Sequence, residues 1–144
     1  MAFEANEYGR SVAAPGLIFA DQPYSNESRV IAPDNGVDLE GGFPLFAKVG
    51  EDVKVYKSAT AAGEGSVFLG IAQRVANYDS YPAGTPVNVV TFGRMWVKVA
   101  EDVQSGTTAK LTSAGAWGAA GTELKNVTYK TSAKAGGYAV VEIK

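Results

Sequence analysis

The sequence predicts an all-β protein, a small β-barrel or sandwich with an extended N-terminal arm. Short apolar segments recur along the 144 residues between turns rich in Gly, Pro, Asn and Asp, and the 17 glycines suit a chain with many turns. Apolar residues make up 46% of the chain, which is enough for a folded core. No stretch predicts an amphipathic helix, because Gly or Pro interrupts each long segment or a period of two fits it better.

We predict that residues 1–26 form the arm and that residues 27–144 form a single β-barrel domain. The first segment has no sustained period, and Pro15, Gly16 and Pro23 interrupt it. It nevertheless carries large apolar side chains, which a purely solvated tail would lack. These are Phe3, Tyr8, Leu17, Ile18, Phe19 and Tyr24. Either an extended arm lays them on another protein surface, which is our prediction, or they cover the core of their own domain.

Within the predicted domain, strand patterns follow one another at short intervals, as in a barrel or sandwich. The predicted strands are 28–32, 43–49, 53–57, 67–75, 86–92, 95–99, 109–112, 116–117, 123–132 and 137–143. Residues 67–75 alternate, which places odd-numbered positions on one face and even-numbered positions on the other. Loops are predicted at 58–66 and 77–84.

One internal similarity relates residues 46–54 to residues 96–104. An aromatic residue, Lys, Val, Glu, Asp and Val occur in the same order in both segments. The pattern predicts two similar hairpins, each a strand that ends at a charged turn and returns on a Val. A chance match of common turn residues is the alternative.

Charge is unevenly distributed, although the net charge is only −2. Residues 1–44 hold seven acidic residues and two basic ones, whereas from residue 45 onward Lys and Arg outnumber Asp and Glu by 11 to 8. An acidic leading segment on a mildly basic body can bind head-to-tail to a neighbouring copy, or it can be a solvated arm without that role. The balance predicts no general attraction to nucleic acid or to an anionic membrane.

The residue types present exclude several kinds of chemistry. The chain has no Cys and no His, so disulfides, thiol chemistry, Ser-His pairs and ordinary zinc, copper or haem ligation are excluded. Adjacent residues on a strand point to opposite faces, so neither carboxylate pair, Glu51-Asp52 or Glu101-Asp102, can hold one substrate atom, and we predict that both pairs are solvated turn charges. No phosphate-binding or calcium-loop motif occurs. We therefore predict no catalytic residue, no cofactor and no metal site.

Aromatic residues offer candidate contacts. Tyr78 and Tyr81 lie in the predicted loop at 77–84, where they are either contact residues or loop packing. Trp96 is predicted to be a core or interface anchor. Stacking of nucleic-acid bases on Trp96 or Tyr129 would need a basic run, and the chain has none. No apolar run reaches the length of a membrane span, and residues 1–7 lack the features of a signal peptide, so we expect synthesis in a cytoplasm.

Several motifs in a fixed order resemble the structural cement, or capsid decoration, proteins of tailed bacteriophages. They are Val67-Phe68-Leu69-Gly70-Ile71-Ala72-Gln73-Arg74, Tyr81-Pro82-Ala83-Gly84, Pro86-Val87-Asn88-Val89, Gly93-Arg94-Met95-Trp96-Val97 and Gly136-Gly137-Tyr138-Ala139-Val140-Val141-Glu142. Each motif is ordinary for a β-protein, and only their order is distinctive. The resemblance covers about residues 43–144, and the first forty residues do not contribute to it.

The resemblance implies a small β-barrel without catalytic activity that binds the outside of an icosahedral head. It implies trimers at threefold and quasi-threefold positions that stabilise the head by bridging capsid subunits. The implied partners are the major capsid protein and further copies of the chain, with no nucleic acid and no membrane. The protein would be made in the cytoplasm of the bacterial host and lie on the capsid exterior.

The interface residues expected from this interpretation are the six apolar arm residues together with Tyr78 and Tyr81. The main alternative is a carbohydrate- or receptor-binding β-domain of a phage tail or cell surface, in which Tyr78, Tyr81 and Trp117 would stack on sugars. A second alternative is a hydrolase that uses Asp79 or the Glu-Asp pairs. We retain the cement interpretation as the prediction.

Overall fold

A computed structural model describes residues 4–5, 12–13, 24–32, 39–40, 42–58, 66–74, 80–82, 84–113 and 115–144. Strands are the only regular structure in these residues, which confirms the all-β prediction. The strands are β1 (Glu4–Ala5), β2 (Val12–Ala13), β3 (Ser25–Ile31), β4 (Leu39–Glu40), β5 (Pro44–Lys48), β6 (Lys54–Val55), β7 (Ser66–Ala72), β8 (Ser80–Tyr81), β9 (Pro86–Lys98), β10 (Thr108–Leu111), β11 (Trp117–Gly118), β12 (Thr122–Tyr129) and β13 (Tyr138–Ile143).

The first half of β9 belongs to a closed ring of five strands. It pairs antiparallel with β3 on one side and with β7 on the other. Strand β7 pairs with β5, Phe46 of β5 bridges to Tyr56 just after β6, and β6 pairs parallel with β3. Following these pairings from β9 therefore returns to β9. A buried cluster fills the ring: Ile31, Leu45, Val55, Ala72, Val87 and Val89.

The second half of β9 belongs to another ring. It pairs with β13, which pairs with β12, then β10 and β11, all antiparallel. Trp117 of β11 closes this ring through a parallel bridge to Val99, the residue after β9. A larger buried cluster fills it and extends to the first ring through Phe46, Ile71 and Val90. The two rings thus share one strand and one continuous block of apolar side chains.

Strand β9 runs without interruption through residues that were predicted to separate two strands, 86–92 and 95–99. That prediction was wrong, because the strand continues through residues 93 and 94. Gly93 has a φ of 121°, a conformation that L side chains rarely adopt, and it lies where the pairing passes from β3 and β7 to β13. A glycine within a strand often marks such a bend, so here it continues the strand.

The simple alternation predicted for residues 67–75 was also wrong. Leu45 pairs with Gly70 while Phe46 pairs with Phe68, so Leu69 is the extra residue of a β-bulge. The bulge changes which face later residues occupy. Phe68 and Ile71 therefore pack against the same cluster, although alternation would place them on opposite faces.

The internal similarity between residues 46–54 and 96–104 does not correspond to matching hairpins. Val53 is 55% exposed, whereas Val103 is 3% exposed and pairs with Ala133. The structure instead relates residues 99–107 to residues 129–137. The two segments make the same backbone hydrogen bonds to each other. Val99 N donates to Gly137 O and Val99 O accepts from Gly136 N; in the same way, Tyr129 N donates to Thr107 O and Tyr129 O accepts from Gly106 N. These two turns therefore lock each other in place.

Candidate interaction surfaces

Of the eight predicted interface residues, Tyr24 is the one whose side chain the structure describes. It lies immediately before β3 and is 48% exposed. Phe3, Tyr8, Leu17, Ile18, Phe19 and Tyr78 lie outside the described residues. For Tyr81 the backbone alone is described: it pairs with Leu39 in the two-stranded sheet β4–β8, so the loop predicted at 77–84 contains a short strand.

A second exposed aromatic residue lies beside Tyr24. Phe92 of β9 is 47% exposed and pairs in register with Ser25, the residue after Tyr24. Phe92 was predicted as part of an apolar strand but not as a surface residue. The sequence signal that could have indicated its exposure was its position next to Gly93, at the end of the apolar run. Two exposed aromatic side chains therefore occur where residues 1–24, called the leading segment from here on, join the first ring.

An open apolar cleft of about 350 Å³ lies between the two rings. Residues that line it include Phe43, Pro44, Lys98, Val99, Ala116 and Trp117. The Nε1 of Trp117 donates a 2.8 Å hydrogen bond to the carbonyl oxygen of Gly42, which fixes the indole ring. Trp117 is 3% exposed, so its predicted alternative role as a sugar-stacking platform is wrong: its ring faces are covered by protein.

The carboxylates of the second predicted pair have structural roles. One oxygen of Glu101 accepts hydrogen bonds from the amides of Ala119 (2.9 Å) and Ala120 (3.3 Å). Asp102 accepts one from the amide of Ala135 (2.8 Å). That bond, with the nearby charge of Lys134, lowers the pKa of Asp102. Asp102 is exposed, as expected for a solvated turn charge, whereas Glu101 is half-buried, and both side chains also hold neighbouring turns.

Tyr129 connects these turns to the larger buried cluster, which fills the second ring. Its side chain is fully buried, and its hydroxyl donates a 2.8 Å hydrogen bond to the carbonyl oxygen of Gly118. Burial raises the pKa of Tyr129 well above its usual range, and the charge of Glu101 adds to the shift. A buried ring cannot stack on nucleic-acid bases, so Tyr129 is a structural residue.

A group of cations surrounds Glu142 on the outer face of β9, β12 and β13. Arg94 Nε lies 2.9 Å from Glu142 Oε2, and the ammonium nitrogens of Lys130 and Lys144 lie 3.9 and 3.8 Å from Oε1. The hydrogen bond from Arg94 is the main cause that lowers the pKa of Glu142. With three cations around one carboxylate, this face carries net positive charge.

The described residues hold neither a cluster of metal ligands nor a helix that could span a membrane. Within the described ranges, His, Cys, Asp and Glu side chains do not gather in groups of three or more that could hold a metal ion. The part of the chain that the structure describes contains no helix with the length and apolar character of a membrane span. The carboxylates of Glu101 and Asp102 bond to backbone amides, and that of Glu142 bonds to Arg94.

These features define a β-protein in which Glu101, Asp102 and Tyr129 hold the turns of their own chain, as in a structural protein. A family model of structural cement proteins (E217 gp24/Pam3 gp6) matches residues 3–144. The chain therefore belongs to the phage structural cement protein family, which confirms the resemblance stated above. Membership assigns it a capsid-associated structural role.

Among solved structures, the chain is similar to the head fiber gp8.5 N base in bacteriophage phi29, with 11% sequence identity and a TM-score of 0.47. The alignment covers 85% of this chain and 95% of that chain. No curated protein matches the sequence.

Proposed function

We propose that this protein binds the outer surface of the icosahedral phage head, contacts the major capsid protein and stabilises the head by bridging capsid subunits. We further propose that it acts as a trimer at threefold and quasi-threefold positions. The observation that carries the proposal is the family match, which extends over residues 3–144 and so includes both the leading segment and the rings.

Bridging explains how a small protein could oppose the outward pressure of packaged DNA. When one protein contacts several subunits, the subunits can separate only if all of its contacts break together. Each additional contact forms at the high effective concentration set by those already made, so several weak contacts give strong attachment. Formation of a trimer adds further contacts of this kind without any change in the fold.

The leading segment is the proposed tether. It carries six large apolar side chains, and its last residue, Tyr24, is half exposed beside the exposed Phe92. Strand β3 then fixes the end of the segment through six register pairs with β9. An extended segment fixed at one end can bind a partner by adding a strand to an exposed sheet edge.

Adding the purified protein to heads that lack it would test the proposal. Wild-type protein is expected to fill a regular set of exterior sites, visible by electron cryomicroscopy, and to raise the temperature at which the heads release DNA. A variant that lacks residues 1–23 keeps all of β3 and should fold, but we expect at least about a tenfold loss of occupancy. Unchanged occupancy would reject the role of the leading segment.

A matched control separates chain length from apolar contact. The full-length variant Leu17→Ser, Ile18→Ser, Phe19→Ser keeps the length and charge of the segment, and we expect it to lose occupancy nearly as far as the deletion. The positions of density on the head test the threefold sites directly. A wild-type protein that leaves heads undecorated at high concentration would contradict the proposed function as a whole.

A further inference from the structure

We propose that the apolar cleft beside Trp117 receives residues 17–21 of a second copy of the chain. This inference rests on the proposed function, because it names the surface to which the leading segment binds. It makes each protein both a donor of a segment and an acceptor of one, and so links neighbouring copies head-to-tail.

The cleft has the properties of a preformed acceptor. Its volume of about 350 Å³ lies within the range of ligand pockets, and its walls are mostly apolar. The wall is held from two sides, since the indole of Trp117 bonds to Gly42 and the carbonyl oxygen of Trp117 accepts a 2.8 Å hydrogen bond from the amide of Ala100. A rigid cleft loses little conformational entropy when a segment binds.

The segment 17–21, Leu-Ile-Phe-Ala-Asp, has matching chemistry. In an extended chain, alternate residues share a side, so Leu17, Phe19 and Asp21 would face the same surface. Two apolar side chains would then enter the cleft while a carboxylate follows them. Lys98, an exposed cation that lines the cleft, is the natural partner for that carboxylate.

Overall charge supports the same partner. The 23 residues before Tyr24 contain three acidic residues and one basic residue, whereas Arg94, Lys130 and Lys144 give the outer face of β9, β12 and β13 a positive charge. This face is continuous with the cleft, because Lys98 of β9 pairs in register with Tyr138 of β13. An acidic segment is therefore attracted towards the cleft and a basic one is repelled from it.

The segment is long enough to reach another copy. Phe19 lies five residues before Tyr24, so it can reach up to about 17 Å from the start of β3 when this stretch is extended. A chain of 144 residues folds into a body with a radius of gyration of about 15 Å. The reach is therefore similar to the radius of the body, so the segment can fill the cleft of a copy that lies in direct contact, as in the proposed trimer.

Disulfide trapping tests this directly, because the chain has no Cys of its own. Two full-length variants with different tags, Phe19→Cys and Ala100→Cys, are mixed under mild oxidation, on heads and in solution. We expect a mixed disulfide, because Ala100 is exposed and lines the cleft. The control pairs Phe19→Cys with Gln104→Cys, an exposed residue of a different, polar groove, and should give at least about tenfold less product.

Each other result overturns the inference. Equal yields with Ala100→Cys and Gln104→Cys would indicate random collision, and no mixed product would leave the cleft without this partner. A third variant carries both Phe19→Cys and Ala100→Cys. If it forms a disulfide within one chain in preference to one between two copies, the cleft binds residues 17–21 of its own chain.

Charge variants connect trapping with attachment to the head. In the acceptor that carries Ala100→Cys, Lys98→Glu reverses the charge at the cleft, whereas Lys125→Glu makes the same change at an exposed residue elsewhere on the surface. The first should lower the yield of disulfide from Phe19→Cys by at least about tenfold, and the second should leave it unchanged.

Normal decoration of heads without any mixed disulfide would overturn this inference alone. Undecorated heads would overturn the proposed function, while trapping in solution would still test the cleft.

Discussion

The hydroxyl of Tyr129 tests how much one buried hydrogen bond stabilises the larger cluster in the second ring. Tyr129→Phe removes one oxygen atom from a side chain that is fully buried and leaves the ring in place. The lost interaction is the 2.8 Å hydrogen bond to the carbonyl oxygen of Gly118. A buried hydrogen bond of this kind contributes about 1–2 kcal/mol to the free energy of unfolding. For a chain of this size, each kcal/mol of lost stability lowers the melting temperature by about 2–4 °C.

Urea unfolding followed by tryptophan fluorescence measures this change. The midpoint should fall while the slope of free energy against urea concentration stays the same, because the surface exposed on unfolding does not change. Tyr24→Phe is the matched control: it removes the same atom from a side chain that is 48% exposed, and should change stability by less than about 0.5 kcal/mol. Equal effects of the two substitutions would refute the argument.

Alkaline pH gives Tyr129 a second, independent signature. Burial raises its pKa in the folded protein above the ordinary value of 10.0, so the folded state holds this proton more tightly than the unfolded state does. The resulting stability is fully present below pH 10 and is lost as pH rises through the folded pKa. The Phe variant lacks this loss. The difference in stability between wild type and Tyr129→Phe should therefore narrow above pH 10.

Two further predictions concern the sheet. The pKa of Glu142 is lowered by Arg94, so its contribution is present above the ordinary value of 4.5 and is lost as pH falls through the folded pKa. Glu142→Gln should therefore cost about 1–2 kcal/mol at pH 7, and urea unfolding should show this cost shrinking as the pH falls below 4.5; a cost that stays the same would contradict the assignment. A Cβ on Gly70 would overlap the carbonyl oxygen of Val90. Gly70→Ala should cost about 3 kcal/mol, whereas Gly106→Ala, with φ of 90° and open space around it, should cost about 1 kcal/mol, and the reverse order in thermal melts would refute the packing argument.

The strands could be predicted where local pattern and tertiary pairing agree. Strand β13 is β-branched and alternates, and the structure places it at Tyr138–Ile143, within one residue of the predicted 137–143. The pattern failed at Gly93 and at Leu69, where one residue changes the course of a strand. Whether a glycine ends a strand or bends it depends on the strands that pair on either side. Those neighbours are distant in sequence, so a local pattern does not contain them.

The candidate surfaces were harder to predict for a related reason. Glu101 bonds to amides near residue 119, and Asp102 bonds to the amide of Ala135. No spacing rule relates such partners, since the fold alone brings them together. Trp117 shows the same limit, because its partner Gly42 lies 75 residues away. Composition did identify the charge asymmetry of the chain, since that property does not depend on the fold.

The junction between the leading segment and the first ring has a mechanical consequence. Six register pairs join β3 to β9 and two more join it to β6, and the hydrogen bonds of these pairs run across the strand direction. Tension applied to residue 24 along the axis of β3 loads all of these bonds in shear at the same moment. Rupture then requires the whole strand to slide, whereas a pull at right angles would break the bonds singly. The barrel is therefore stiffest against a load that arrives along its own first long strand.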